Sequence, residues 1–458
     1  VVRWPRAQIC AYIAATTRTI CAMSVDGSNI VIVGGGFAGT TLARRLERRL
    51  PESRQLFLLS QDNCITYNPL LAEVVGASML PGHAVAPIRQ IVRRTRFRMV
   101  TVTDIDLDRR ELHYQAEGAG VLSYDQLVLA CGMAVNVNAL PGMAEHGLPL
   151  RTLGDALFLR NRLLARMEQA EMEDDPERRC WLTTFIVVGG GLSGVEVVGE
   201  LSDFMHASRR YYPNIAARDC RVILLHNLDR ILPELDAGLA DFALMKMQRR
   251  GIDFRLNTRV ARADGRGVEL RSGERIDGGT VISAVGTAPT ELVERLPLPK
   301  QRGRIETAPD MSVPGHPGVW ALGDCAAVVN AHDGRLSPPT AQFATRQAEQ
   351  VAENLLRNLS GEPAQPFSYR SRGQFSTIGH QRAVAEVFGL RLSGMLPWIL
   401  RRGVYLANFP TLSRKVRILF EWIWTCLFPP DIAHLSLSRT SLIRPAGPQH
   451  SEVSARHQ

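Results

Sequence analysis

Lysine is scarce in this chain. Of 458 residues, 54 are lysine or arginine, and only Lys246, Lys300 and Lys415 are lysines. The formal charge of +9 and the pI near 9.4 invite a nucleic-acid reading. The arginines are spread along the chain rather than gathered into a patch, so no nucleic-acid partner is expected. Paired cysteines are missing as well. Cys10, Cys21, Cys64, Cys131, Cys180, Cys220, Cys325 and Cys426 lie far apart, without a C-x-x-C or a His/Cys cluster. That spacing supports neither a zinc site nor a disulfide framework, and it fits reduced thiols in a cytosolic milieu. The aromatic C-terminal stretch from Gly394 to Phe428 holds no charge-free run of about 20 residues, which argues against a transmembrane span there.

What is present is ordinary for a folded protein: 45% apolar and 22% charged residues. At roughly 100–200 residues per domain the length predicts two or three domains. Residues 1–28 read as an extension outside the fold, with a stretch from Ile9 to Ile20 that is mildly apolar but short and broken by Arg18. A start near Met23 would bring the first core strand close to the N-terminus.

That strand is Asn29–Val33, a short β-branched run of the kind buried on both faces of a parallel sheet. It feeds Gly34-Gly-Gly36-Phe37-Ala38-Gly39, and an amphipathic helical pattern follows. In such a G-x-G-x-x-G loop Gly34 makes the tight turn and Gly36 lets backbone approach a pyrophosphate. Gly39 lets helix pack on strand, and the helix N-terminus faces the anion. The same construction recurs about 155 residues later. Phe185–Val188 is the strand, Gly189-Gly-Gly191-Leu192-Ser-Gly194 the loop, and Val195 onward the helix. Two dinucleotide units in one chain imply two dinucleotides, FAD and NAD(P)H. Three further segments fit that organisation: Tyr124–Gly132, Val281–Gly286, and Gly318–Asp324, a strand ending in Gly-Asp.

The order of these segments resembles the two-dinucleotide-binding flavoproteins. Tyr67-Asn-Pro-Leu-Leu71, Pro87-Ile-Arg89, Gly194-Val-Glu196, Pro338-Pro-Thr-Ala-Gln342, Phe367-Ser-Tyr-Arg370 through Thr377-Ile-Gly379, and Leu392-Ser-Gly394 narrow the likeness. Within that superfamily the chain is similar to type II NADH:quinone oxidoreductases, from about Asn29 to Phe428. The resemblance implies an α/β fold with two Rossmann-like domains, the FAD domain being interrupted by the NAD(P)H domain. The expected boundaries are 29–150 and 291–364 for the FAD domain and 151–290 for the NAD(P)H domain. A C-terminal amphipathic membrane-associating region at 365–439 and a polar tail at 440–458 complete the chain.

The resemblance also implies roles. FAD would meet the first glycine loop together with Ser60, Pro69, Val102, Ala130, Gly132, Asp324 and Gln342, with Asp324 holding the ribityl chain. NADH or NADPH would meet Gly189, Gly191, Leu192, Gly194, Glu196, His226 and Gly286. Glu196 would orient the carboxamide or relay a proton, and Gln342 would contact the quinone. Three positions depart from the pattern. Ser60 and His226 stand where a carboxylate normally grips ribose hydroxyls. His226 removes the repulsion that excludes a 2′-phosphate, and Arg230 is placed to attract one. Arg346 replaces a usual glutamine, followed by Gln347.

The segment from Gly394 to Phe428 holds Trp398, Tyr405, Phe409, Phe420, Trp422, Trp424 and Phe428, including half of the six tryptophans. Helical spacing of Ile418, Leu419, Trp422, Ile423, Cys426 and Leu427 gives a wide apolar face. Arg401, Arg402, Arg414, Lys415 and Arg417 flank it, and Pro429-Pro430 stop the helix. This pattern predicts a monotopic seat on the anionic, cytoplasmic-side lipid of the inner membrane, where a quinone is dissolved. A homodimer interface is the other use for such a face. Two other functions remain open at this point, a sulfide:quinone oxidoreductase and a membrane-associated flavin-binding redox sensor without turnover.

Overall fold

The computed structural model describes residues 29–409 and 411–435. The readings of 1–28 and of the polar tail lie outside the described residues. The chain opens with β1 (Asn29–Val33), α1 (Phe37–Leu46), β2 (Gln55–Ser60), β3 (Arg96–Met99) and β4 (Gln126–Leu129). It then builds β5 (Gly147–Pro149), α2 (Leu153–Glu171), β6 (Thr184–Val188), α3 (Leu192–Ser208), β7 (Arg221–Leu225), α4 (Ala237–Gln248), β8 (Asp253–Arg255) and β9 (Thr280–Ser283). It returns through β10 (Val319–Ala321) and α5 (Ala341–Leu359). A hairpin sheet of β11 (Gly373–Thr377), β12 (Ala383–Val387) and β13 (Leu390–Gly394) leads to α6 (Met395–Asn408) and α7 (Leu412–Leu427).

Two five-stranded parallel sheets result, in the orders β10-β4-β1-β2-β3 and β5-β9-β6-β7-β8. In each, the strand that feeds the glycine loop is central and fully buried, as Ile30–Ile32 and Phe185–Val187 require. Strand β10 completes the first sheet after the whole second sheet has been made. The second sheet is therefore an insertion in the first, with β5 already part of it a few residues before the boundary expected at 150. The outgoing and returning connections pair with each other as antiparallel strands, Met133–Val135 against Thr287–Pro289.

α5 packs along α1. Arg45 bonds Glu349 at 2.5 Å, and Arg49 pairs with Glu353 one turn on. α7 ends at Leu427, ahead of the two prolines, as expected. No helix among the described residues is long and apolar enough to cross a membrane.

Candidate active site

The first glycine loop behaves as its spacing predicts. Gly34 sits at φ +114°, and a Cβ there would land on the Ala130 carbonyl, where β1 and β4 end side by side. A Cβ on Gly39 would strike the Gly34 carbonyl oxygen. Around Gly36 the opposite holds, with no protein atom within 4 Å of a Cβ position. Gly36 is also the N-cap of α1, and no side chain caps it. Backbone N–H groups at the first turn of α1 thus front open space, the fit a pyrophosphate needs. Phe37 and Ala38 begin that helix, and Ala38 lies against Gly323, at φ +74° beside Asp324. The Ser60 hydroxyl lies against Gly35, since a Cβ there would meet Ser60 Oγ at 2.5 Å. Gly132, at φ +65°, opens onto space in the same region.

The second loop repeats this geometry. Gly189 has φ +118° and abuts the Ala284 carbonyl, a Cβ on Gly194 would strike the Gly189 oxygen, and Gly191 is an N-cap without a side-chain cap. Leu192 opens α3 half-buried, and Gly286 turns at φ +63° just after β9. His226 fills the place of the missing carboxylate. Its Nδ1 accepts from the Gly190 N–H at 3.0 Å, and burial lowers its pKa, so the ring is neutral with the proton on Nε2. That Nε2 is buried without a hydrogen-bond partner among the described residues, a donor facing no protein acceptor. Arg230 donates to the Pro233 carbonyl at 3.2 Å.

Asp324 is positioned by its neighbours. Arg151 Nη2 lies 3.6 Å from its carboxylate, Arg304 donates to its carbonyl at 3.1 Å, and the Gly323 N–H donates to the buried Gln347 amide at 2.8 Å. Gln347 thereby ties α5 to the Gly-Asp turn, while Arg346 turns away to Glu349 and lies over the Tyr369 ring. Gln342 accepts from the Ser371 hydroxyl at 3.2 Å. It does not cap its helix; Thr340 does that, through Phe343. Val102 is half-buried in a separate antiparallel sheet, paired with Tyr114.

Around Glu196 lies a set of charges that the sequence reading missed. Arg401, from α6, bonds Glu73 Oε1 at 2.6 Å, the Pro69 carbonyl at 2.6 Å and Glu196 Oε1 at 3.3 Å. The Thr377 N–H also donates to Glu196 Oε1, at 3.2 Å. Glu73 accepts from Trp422 Nε1 at 3.2 Å and lies 3.7 Å from Arg402. Arg401 is 1% exposed and Arg402 7%, so both leave the lipid-facing flank where the sequence reading placed them. Trp398, Phe409 and Trp422 are likewise buried rather than part of the outer face. A guanidinium in an apolar helix becomes affordable once two buried carboxylates on other elements share it, and nothing in the local sequence of α6 shows them. A stack adds to the junction: Phe37 meets the Tyr67 ring edge-on at 5.1 Å, and Tyr67 stacks on Phe409 at 4.0 Å. The first glycine loop and the C-terminal helices are thus in continuous contact.

Burial raises the Glu196 pKa, opposed by Arg401. Burial tends to lower that of Arg401, but Tyr405, Glu196 and Glu73 outweigh it and keep the guanidinium charged. One turn along α3, Glu200 accepts from Ser78 at 2.9 Å, and burial with Glu73 and Asp203 nearby pushes it up to about 8. Its folded pKa therefore exceeds the usual value of 4.5. The stability it permits is full below pH ~4.5 and is lost as pH rises to ~8, roughly 3 to 5 kcal/mol in all. Glu200→Gln should match the wild type in thermal denaturation at pH 5 and exceed it at pH 9. A pH-independent difference would show the carboxyl to be ionised throughout.

Two α/β units, each with an uncapped glycine cradle at the carboxyl edge of a parallel sheet, define a protein that holds two dinucleotides. Comparison with known proteins gives the same class. The chain belongs to the pyridine nucleotide-disulphide oxidoreductase family, whose sequence pattern matches residues 28–348, and within it to the type II NADH:quinone oxidoreductases. It is 31% identical over 415 residues to the type II NADH:quinone oxidoreductase of Mycobacterium tuberculosis, covering 87% of this chain and 88% of that one. It is 32% identical over 405 residues to a demethylphylloquinone reductase of Synechocystis, covering 86% and 95%. In fold it matches the structure of NDH2 from Plasmodium falciparum in complex with NADH, at TM-score 0.83 and 18% identity, over 89% of this chain and 99% of that one.

Proposed function

We propose that this chain is an FAD-dependent enzyme that oxidises NADH, accepts NADPH less readily, and reduces a membrane quinone without pumping protons. The observation that carries this reading is the Arg401 junction. It joins the helix of the second cradle, through Glu196, and the Pro69 segment of the first domain to the C-terminal helices. FAD, when bound, supplies two-electron transfer between nicotinamide and quinone; the chain supplies orientation, electrostatics and exclusion of water. Gly34, Gly36 and Gly39 shape the flavin pyrophosphate site, and Asp324 takes the ribityl hydroxyls. Gly189, Gly191 and Gly194 receive the nicotinamide dinucleotide, with His226 Nε2–H as donor to its ribose. Glu196, whose pKa burial raises against the opposing Arg401 and Thr377 contacts, is the candidate to orient the carboxamide or relay a proton. Gln342 is the candidate quinone contact.

The seat is the outer face of α6 and α7. Leu396, Ile399, Phe420, Ile423, Trp424 and Leu427 are each more than half exposed. Lipid on the cytoplasmic face of the inner membrane suits this surface better than water does. The unpaired described cysteines fit that compartment.

Steady-state oxidation of NADH and NADPH with a soluble ubiquinone analogue tests the reading. Turnover should be well above that of free FAD, faster with NADH. Glu196→Gln should slow quinone reduction about a hundredfold while leaving ferricyanide reduction near wild type. Turnover no higher than free flavin gives would sink the enzyme reading in favour of a redox sensor.

A further inference from the structure

A cavity of about 580 Å³ opens between the C-terminal end of α4, the turn joining β11 to β12, and the start of α6. Its walls carry Lys246, Arg249, Arg250, Arg382 and His380. Arg250 is committed to structure: it pairs with Asp203 and donates to the Ile378 carbonyl at 2.5 Å. Asp203 also accepts from the His380 N–H at 2.5 Å. This pair fixes the turn, in which Gly379 sits at φ +114° against Asp203 and Arg250 and Gln381 at φ +58°. Lys246, Arg249 and Arg382 have no ion-pair partner within 4.0 Å among the described residues. The residues that line the cavity include no carboxylate, and Asp203 behind the turn is already engaged by Arg250 and the His380 N–H. Burial lowers the His380 pKa, with Arg402 and Arg250 adding to that effect and Asp203 and Glu73 opposing it. Lys246, Arg249 and Arg382 thus leave the lining of the cavity net positive.

Its rim is not polar. Gly394 and Met395 line it, and Met395, Leu396 and Ile399 continue from it as the exposed face of α6. A basin of free cations that runs directly into an apolar helix face has the two-part chemistry of a lipid: charge at one end, hydrocarbon at the other.

We propose that this cavity binds the phosphodiester headgroup of an anionic phospholipid, whose acyl chains lie along α6. The proposal rests on the reading of α6 and α7 as a lipid seat, and adds to it a defined headgroup site. Arg382 and Arg249 offer planar donor forks to phosphate oxygens and Lys246 a point charge, while the Asp203–Arg250 pair holds the turn in place.

The test uses the flavin-loaded full chain and a Lys246→Gln, Arg249→Gln, Arg382→Gln triple variant. Retained flavin absorbance and NADH–ferricyanide reduction would show the variant folded. Titration with dihexanoyl phosphatidylglycerol below its micelle concentration isolates the headgroup site from the field of a charged membrane. Saturable binding at one site, weakened at least tenfold in the triple variant and absent for dihexanoyl phosphatidylcholine, supports the proposal. Equal binding by wild type and variant, or none by either, overturns it. Inorganic phosphate that binds the wild type as tightly as the short-chain lipid also overturns it, by making the ligand a free phosphate. Flotation on phosphatidylcholine–phosphatidylglycerol vesicles tests the seat separately. Phe420→Ser with Trp424→Ser should lose flotation while keeping the short-chain lipid site. Wild type that never floats, and dimerises through this face instead, ends the seat reading while the titration still reports on the cavity.

Discussion

Gly36→Val should give a folded but colourless protein. No protein atom lies within 4 Å of a Cβ at Gly36, so the valine meets open space rather than the core. Backbone there has φ −76°, which any residue adopts, so no strain is added. What the side chain fills is the approach to the N–H groups at the start of α1, the surface a pyrophosphate must reach. The expected result is purification without bound FAD, a normal far-ultraviolet circular dichroism spectrum, and loss of NADH oxidation with every acceptor. A neighbouring glycine gives the contrast. Gly39→Val would drive a side chain into the Gly34 carbonyl and should compromise folding itself. A Gly36→Val protein that stays yellow would mean that the cradle does not receive the flavin.

Arg401→Met should be the most destabilising single change among the surroundings of Glu196. Methionine approximates the length of the side chain and removes the charge. Among the described residues it leaves Glu73, 3% exposed in its side chain, with Arg402 and Trp422 as partners, and leaves Glu196 with the Thr377 N–H. Losing one partner from a buried ionic set costs about 3 to 5 kcal/mol, because the remaining carboxylates stay desolvated. Thermal denaturation should therefore fall markedly, and Glu73→Gln combined with Arg401→Met should recover part of the loss. Recovery is the informative measurement. If the double variant is no more stable than Arg401→Met, the cost is lost packing against Tyr405, over whose ring the guanidinium sits at 4.7 Å.

The two cradles were legible because their chemistry is local. A strand, a tight glycine turn and a helix start occupy a dozen consecutive residues, and each glycine has a steric reason visible in the sequence. The two sheets followed from the repeat. The buried charge cluster was not legible, because its members come from four separate segments: Glu73, Glu196 and Glu200, Thr377, and Arg401 with Arg402. Read alone, Arg401 and Arg402 on an apolar helix look like a basic flank, and only tertiary pairing sends them inward. The same holds for Trp398 and Trp422, whose helical spacing did not distinguish the face toward the body from the face away from it. In sequence His226 stands for a lost carboxylate; in the structure its ring bonds the second glycine loop. That bond depends on the Gly190 N–H, which local sequence does not assign to a partner.

The crossings Met133–Val135 and Thr287–Pro289, paired with each other, bear on how this architecture moves. Two antiparallel strands hydrogen-bonded at one point make a single strap rather than two independent tethers, so rotation of the inner unit must flex both at once. The inner unit is also held from its far side, where Glu196 meets Arg401 and Glu200 meets Ser78, so the strap and the charge cluster restrain it at two separate places.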